Sequence, residues 1–101
     1  MLSRRLTLFL RSAVLVAMLV AAGCTASPPV QEMSDARQAI TAAKEAGAAE
    51  YAADELDAAV EFLNSAETYL QSNSFHFARR DAIAAKSKAL DALKRSEADR
   101  E

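Results

Sequence analysis

The sequence predicts an all-α protein: a small three-helix bundle, or a long antiparallel helical hairpin with a short helix preceding it. Three observations carry this. No proline follows Pro29, and alanine, lysine, arginine, glutamate and leucine, all strong helix formers, dominate what comes after it. Apolar residues there recur at spacings of three and four, the period of one helix face. The clearest interruption, Ser72-Asn73-Ser74, is short, and a short break between two long amphipathic segments makes them antiparallel neighbours.

Residues 1–11 carry Arg4, Arg5 and Arg11 and no acid, and residues 12–22 form an uncharged apolar run ending in small residues. A basic region, then an apolar run, then small residues is the pattern of a secretory signal peptide. The run is shorter than the roughly 20 apolar residues that span a bilayer as a helix. Residues 1–23 are therefore expected to be a signal segment.

Cys24 follows directly and is the only cysteine, so no internal disulfide is available to it. Ala21-Ala22-Gly23-Cys24 resembles a bacterial lipobox, with Ala21 where leucine is commonest. That resemblance implies cleavage between Gly23 and Cys24, a diacylglycerol on the cysteine sulfur, and an acyl chain on the new N-terminus. It also implies, from Thr25 standing where aspartate would favour inner-membrane retention, an outer-membrane location facing the periplasm. Each buried methylene contributes about 0.8 kcal/mol, so two or more acyl chains hold a protein to a membrane stably.

Residues 24–32 are expected to be the acylated cysteine and a tether, because small polar residues and Pro28-Pro29 favour extended backbone. Residues 33–101 are expected to form the helical domain. Ser34 is placed to cap a first helix and Gly47 to end it, with Met33, Ala36, Ile40, Ala43 and Gly47 on one face. A second helix follows, with Leu56, Val60, Leu63 and Leu70 on one face, filled in by Ala59 and Ala66 and broadened by Phe62 and Tyr69. Asp54, Glu55 and Asp57 lie in its first turns, where the helix dipole favours acids. In the third helix Ala78, Ala82, Ala85, Ala89 and Leu93 share a stripe beside Ile83 and Leu90. The expected centre is Leu56, Val60, Leu63, Leu70, Phe75, Phe77, Ile83, Leu90 and Leu93. With 20 alanines after Cys24 the core is lean, and a chain this short has little net stability in hand. Association with a second copy or a partner is one way to add to it.

Charge divides along the chain. Residues 24–78 hold nine acids and two bases, and residues 79–101 five acids and seven bases. Such a balance favours side-by-side packing of the second and third helices and argues against nucleic-acid binding, which needs a basic face for phosphates. The one histidine, His76, makes neither a metal site nor a triad by itself. Gly-rich phosphate loops, CxxC and HExxH are absent from the sequence. The expectation is therefore no enzyme, no catalytic residue, no metal, and no cofactor beyond lipid on Cys24.

Residues 33–93 resemble the DUF4398 domain of small proteobacterial lipoproteins. The opening SDARQAI, the AAKEAGA that follows, the aromatic Tyr51, and a turn followed by an aromatic and ARR carry the likeness. This resemblance implies no enzymatic activity and assigns no catalytic residue. The hairpin is also similar to a tetratricopeptide-like unit, although one hairpin lacks the three or so repeats of a solenoid. The expected role is a membrane-anchored interaction module of the cell envelope, binding envelope proteins or peptidoglycan, with Tyr51, Phe75 and Phe77 as interaction residues. The alternative is a self-associating spacer of the murein-lipoprotein type with non-covalent peptidoglycan contact. Its continuous heptad would have to cross the breaks at Gly47 and at residues 72–74.

Overall fold

The computed structural model describes residues 2–23 and 27–100, all of whose regular elements are helices. They are α1 (Leu2–Gly23), α2 (Val30–Glu45), α3 (Ala48–Tyr51), α4 (Ala53–Gln71) and α5 (Phe75–Arg100). The all-α expectation holds. The basic and apolar N-terminal segment forms α1, whose Leu6, Leu8, Phe9, Leu10, Val14 and Leu15 are exposed. Among the described residues no helix is long and apolar enough to cross a membrane.

Contacts between helices lie within α2 to α5, and α5 is the shared element against which α2 and α4 both pack. Near its start α5 meets the start of α2, through Arg79 and Glu32, while Ala89 and Ala92 lie with Ala39, Ile40 and Ala43 further along both helices. So α2 and α5 run parallel. Glu55, near the start of α4, pairs with Arg95 near the end of α5, which makes α4 antiparallel to both.

The core is built on alanine. On α5, Ala78, Ala82, Ala85, Ala89, Ala92 and Ser96 are all fully buried at alternating spacings of four and three. Met33, Ala36, Ile40 and Ala43 continue the seam on α2, and Leu56, Ala59 and Ala66 on α4, with Val60, Leu63, Leu70 and Leu93 packed partly against them. A mean spacing of 3.5 keeps one seam turned toward its neighbours along the whole length. Methyl-sized seam residues bring helix axes toward the near end of the 8–10 Å packing range, so dispersion between close backbones replaces interdigitation of large side chains.

That geometry corrects part of the expected core. Phe77, Ile83 and Leu90 are exposed, at 45%, 54% and 39%, and Phe75 is half-buried. The space between three closely spaced helices admits a methyl group at each α5 seam position, so the larger residues lie outside the seam. Ala92 takes the position expected for Leu93, which is half-buried beside it.

The helix ends follow from local chemistry. α2 begins at Val30, inside the stretch expected to be tether, and Ser34 is an interior residue and no cap. The buried Pro29 stands at the N-cap with φ −79°, and its carbonyl accepts from the Met33 amide at 3.0 Å. Proline's restricted φ and missing N–H suit a helix entrance, which is why helix formation starts here. Gly47 follows α2 at φ 89°, as expected of a helix-ending glycine, and its amide donates to the Lys44 carbonyl at 3.0 Å. Asn73 does the same work after α4, at φ 58°: its amide donates to the Leu70 carbonyl and that of Ser74 to the Tyr69 carbonyl, at 3.1 and 2.8 Å. This pair of bonds is a Schellman closure with asparagine in the left-handed position.

Candidate functional site

The α4–α5 turn creates the most distinctive surface of the helical body. Closing the chain at residues 72–74 returns α5 alongside α4, so Tyr69 and Phe77 stack with ring centroids 5.3 Å apart and planes tilted by 30°. His76 meets Phe77 edge-on at 5.6 Å, and the Arg80 guanidinium lies 5.0 Å from the centre of the Phe77 ring. Offset aromatic pairs contribute about 0.5–1.5 kcal/mol beyond their burial, and a cation over an aromatic face about 0.5–1 kcal/mol where solvent reaches it. The stack thus holds Phe77 in place although it is close to half exposed.

Behind it Asp81 is buried, with both carboxylate oxygens satisfied. Ser65 Oγ donates to Oδ2 at 2.6 Å, and Arg80 Nε donates to Oδ1 at 3.1 Å. A buried carboxylate is tolerated when it is paired and hydrogen-bonded in this way. Glu61, Phe62, Ser65, Tyr69, Arg80 and Asp81 together line an open groove of about 310 Å³ between α4 and α5. Its walls combine aromatic faces with one arginine and two acids. Among the described residues no group of three or more histidine, cysteine, aspartate or glutamate side chains converges as a metal site.

On the other side of α5, Arg79 reaches α2 and the chain before it. Its Nε donates to Glu32 Oε1 at 3.3 Å and its Nη2 to the Ser27 carbonyl at 3.0 Å. One side chain thus joins the start of α5 to the first described residue after Cys24.

Tyr51 lies at the opposite end of the body. It closes α3 before α4 begins, whereas Phe75 and Phe77 follow the end of α4, and the 19 residues between make a helix about 28 Å long. Its ring covers Gly47, where an added Cβ would stand 3.2 and 3.3 Å from two ring carbons. Near this end Arg95 Nη1 donates to Glu55 Oε1 at 2.7 Å and its Nε lies 3.6 Å from Asp99 Oδ2. The Arg95 hydrogen bond holds the Glu55 carboxyl below its ordinary range, and the same bond raises the arginine. Glu55 Oε2 is buried without a hydrogen-bond partner.

Of the residues singled out from sequence, Phe75 and Phe77 share one end and Tyr51 the other, so they do not form one site. Cys24 lies outside the described residues, and Gly23 is the last residue of α1. Tyr69, Arg80 and Asp81 were not singled out as site residues. A signal for the stack was present: Tyr69 and Phe77 lie four residues on either side of Asn73, the spacing that faces two residues across a helical hairpin.

The fold is a helical body closed by alanine seams, with an aromatic and charged surface at its hairpin turn. A family model for a domain of unknown function, DUF4398, matches residues 31–101, and the chain belongs to that family. Searches of curated proteins and of solved structures return no significant match.

Proposed function

We propose that the protein is a lipid-anchored lipoprotein on the periplasmic face of the outer membrane, whose helical body is a non-enzymatic interaction module. The observation that carries this reading is the order of features around Cys24. Three arginines, an apolar run and Ala-Ala-Gly precede the sole cysteine, and a helical domain follows it. Diacylglycerol on the sulfur and an acyl chain on the nitrogen would hold residues 24–101 to the membrane with no protein segment crossing it. Tyr51, half-buried at the Gly47 end of the body, is the aromatic side chain offered to an envelope partner there, since aromatic side chains are among the residues that anchor interfaces.

Replacing the cysteine tests this directly. Cys24→Ala is expected to leave an unprocessed precursor that takes up no labelled palmitate, whereas the unaltered chain is labelled and shortened. Label in the variant, or none in the unaltered chain, contradicts the reading.

The second reading, a self-associating spacer in contact with peptidoglycan, draws support from Ile83 and Leu90. They are exposed and seven residues apart on α5, the spacing of a helix-to-helix seam.

A further inference from the structure

We infer that the helical body stands on the lipid surface by its hairpin-turn end, with Phe77 and Val30 at the bilayer interface and the Gly47 end pointing away. The inference rests on the anchor reading above and adds an orientation that anchoring alone leaves open.

The first argument is chain length. Ser27 is fixed to the start of α5 by Arg79, Pro29 is buried, and Glu32 holds the same guanidinium. Only three residue steps separate Ser27 from Cys24, and a chain spans at most about 3.6 Å per residue. The acylated cysteine is therefore within roughly 11 Å of Ser27, which lies just before α2 and is bonded to the Arg79 side chain of α5. Both helices run in the same direction from there, α2 for about 24 Å and α5 for about 39 Å, so their far ends are the parts of the body most distant from the anchor.

The second argument is composition, and it is independent of the lipobox. At the turn end Val30 is 69% exposed and Phe77 45% exposed, with Tyr69 and Phe75 half-buried beside Phe77. Residues 30–37 and 64–84, which make up this end, hold four acids and three bases, with Arg79 and Arg80 paired to Glu32 and Asp81. Residues 44–57 and 88–100, at the other end, hold eight acids and five bases, so that end is the more acidic of the two. Aromatic rings beside arginines match the boundary between headgroup phosphates and acyl chains, where amphipathic rings settle. The acid-rich end is repelled by the same anionic headgroups.

The chain contains no tryptophan, so single reporters can be introduced without background. Full chains carrying Phe77→Trp, Val30→Trp or the far-end Ala98→Trp would be purified from membranes, and the mass of each Cys24 segment measured. Each would then be placed in vesicles of phosphatidylethanolamine and phosphatidylglycerol with brominated acyl chains. The expected result is acylated Cys24 and severalfold stronger quenching for Phe77→Trp and Val30→Trp than for Ala98→Trp. The Val30→Trp chain carries the test if Phe77→Trp disturbs the stack. Acylated chains quenched equally at all three positions, or most strongly at Ala98→Trp, overturn the orientation and leave the anchor standing. Chains whose Cys24 carries no acyl mass overturn the anchor and the orientation together.

Discussion

Gly47 is the residue whose identity the backbone most constrains. Its φ of 89° lies in the left-handed region, and a Cβ would stand 3.2 and 3.3 Å from two carbons of the Tyr51 ring, which would have to give way slightly. A non-glycine residue there costs about 1–2 kcal/mol from backbone sterics alone. Gly47→Ala in the chain 25–101 is accordingly expected to lower Tm by roughly 4–8 °C for each kcal/mol lost, a shift that thermal unfolding followed by circular dichroism would detect. An unchanged Tm would mean that α3 rearranges without cost. Gly47 and the Ser72 to Ser74 turn were legible in the sequence because glycine and small polar residues have few reasons to interrupt an apolar period. Ser34 misled for the complementary reason. Its capping preference is real, but Pro29, five residues earlier, had already opened the helix, and an interior serine can leave its hydroxyl to a neighbour, here Gln38 Nε2 at 3.4 Å.

Between elements, close approach governs. Ala85 is fully buried on the α5 seam, whereas Ile83, two residues away, is 54% exposed. Ala85→Leu forces extra methylenes between closely packed helices and is expected to cost about 1–3 kcal/mol, despite adding apolar bulk. Ile83→Gln removes apolar bulk from the surface and should stay within about 0.5 kcal/mol. Urea unfolding of both variants checks the ordering, and a larger loss for Ile83→Gln would place the packed face of α5 elsewhere. The alanine stripe from Ala78 to Ala89 was visible in the period of the sequence. The exposure of Ile83 and Leu90 was not, because ranking residues by apolar size takes the largest for the core, and the separation of helix axes is set jointly by all three seams. The ion pairs that tie the helices together, Arg37 with Glu67 and Lys86 with Asp35 among them, are largely exposed and contribute about 1 kcal/mol or less each. The seams carry the packing.

At the scale of the molecule, α2, α4 and α5 bury their seams against one another, which leaves Ile83 and Leu90 as the exposed large apolar residues of α5 apart from the stacked Phe77. Two such residues make a small surface, far below what a stable dimer buries. The chain 25–101 is expected to sediment as a monomer at micromolar concentration. A stable oligomer, lost on changing Ile83 and Leu90 to glutamine, would instead favour the spacer reading. The three long helices of the body, the hairpin and family membership were legible because they depend on periodicity and turn chemistry within each segment; the four-residue α3, too short to show a period, was not. The Arg79 link to Ser27 was not, since it joins residues 52 apart through one side chain and leaves no periodic trace. The Tyr69 and Phe77 stack lies between these cases: its spacing about the turn is visible, but its importance depends on Arg80 covering the ring.

The Arg79 link also sets how freely an anchored body could wander. Pro29 already belongs to the folded body, so the free chain from Cys24 is five residue steps with a root-mean-square span of about 12 Å, and fixing Ser27 cuts it to three and about 10 Å, shortening the leash by about a fifth. On an acylated Cys24 the body would drift in the plane of the membrane while its height hardly varied. A binding partner would then be met by lateral diffusion at a nearly constant distance from the lipid, and one displaced outward by a few tens of ångströms would stay beyond reach however strongly it bound.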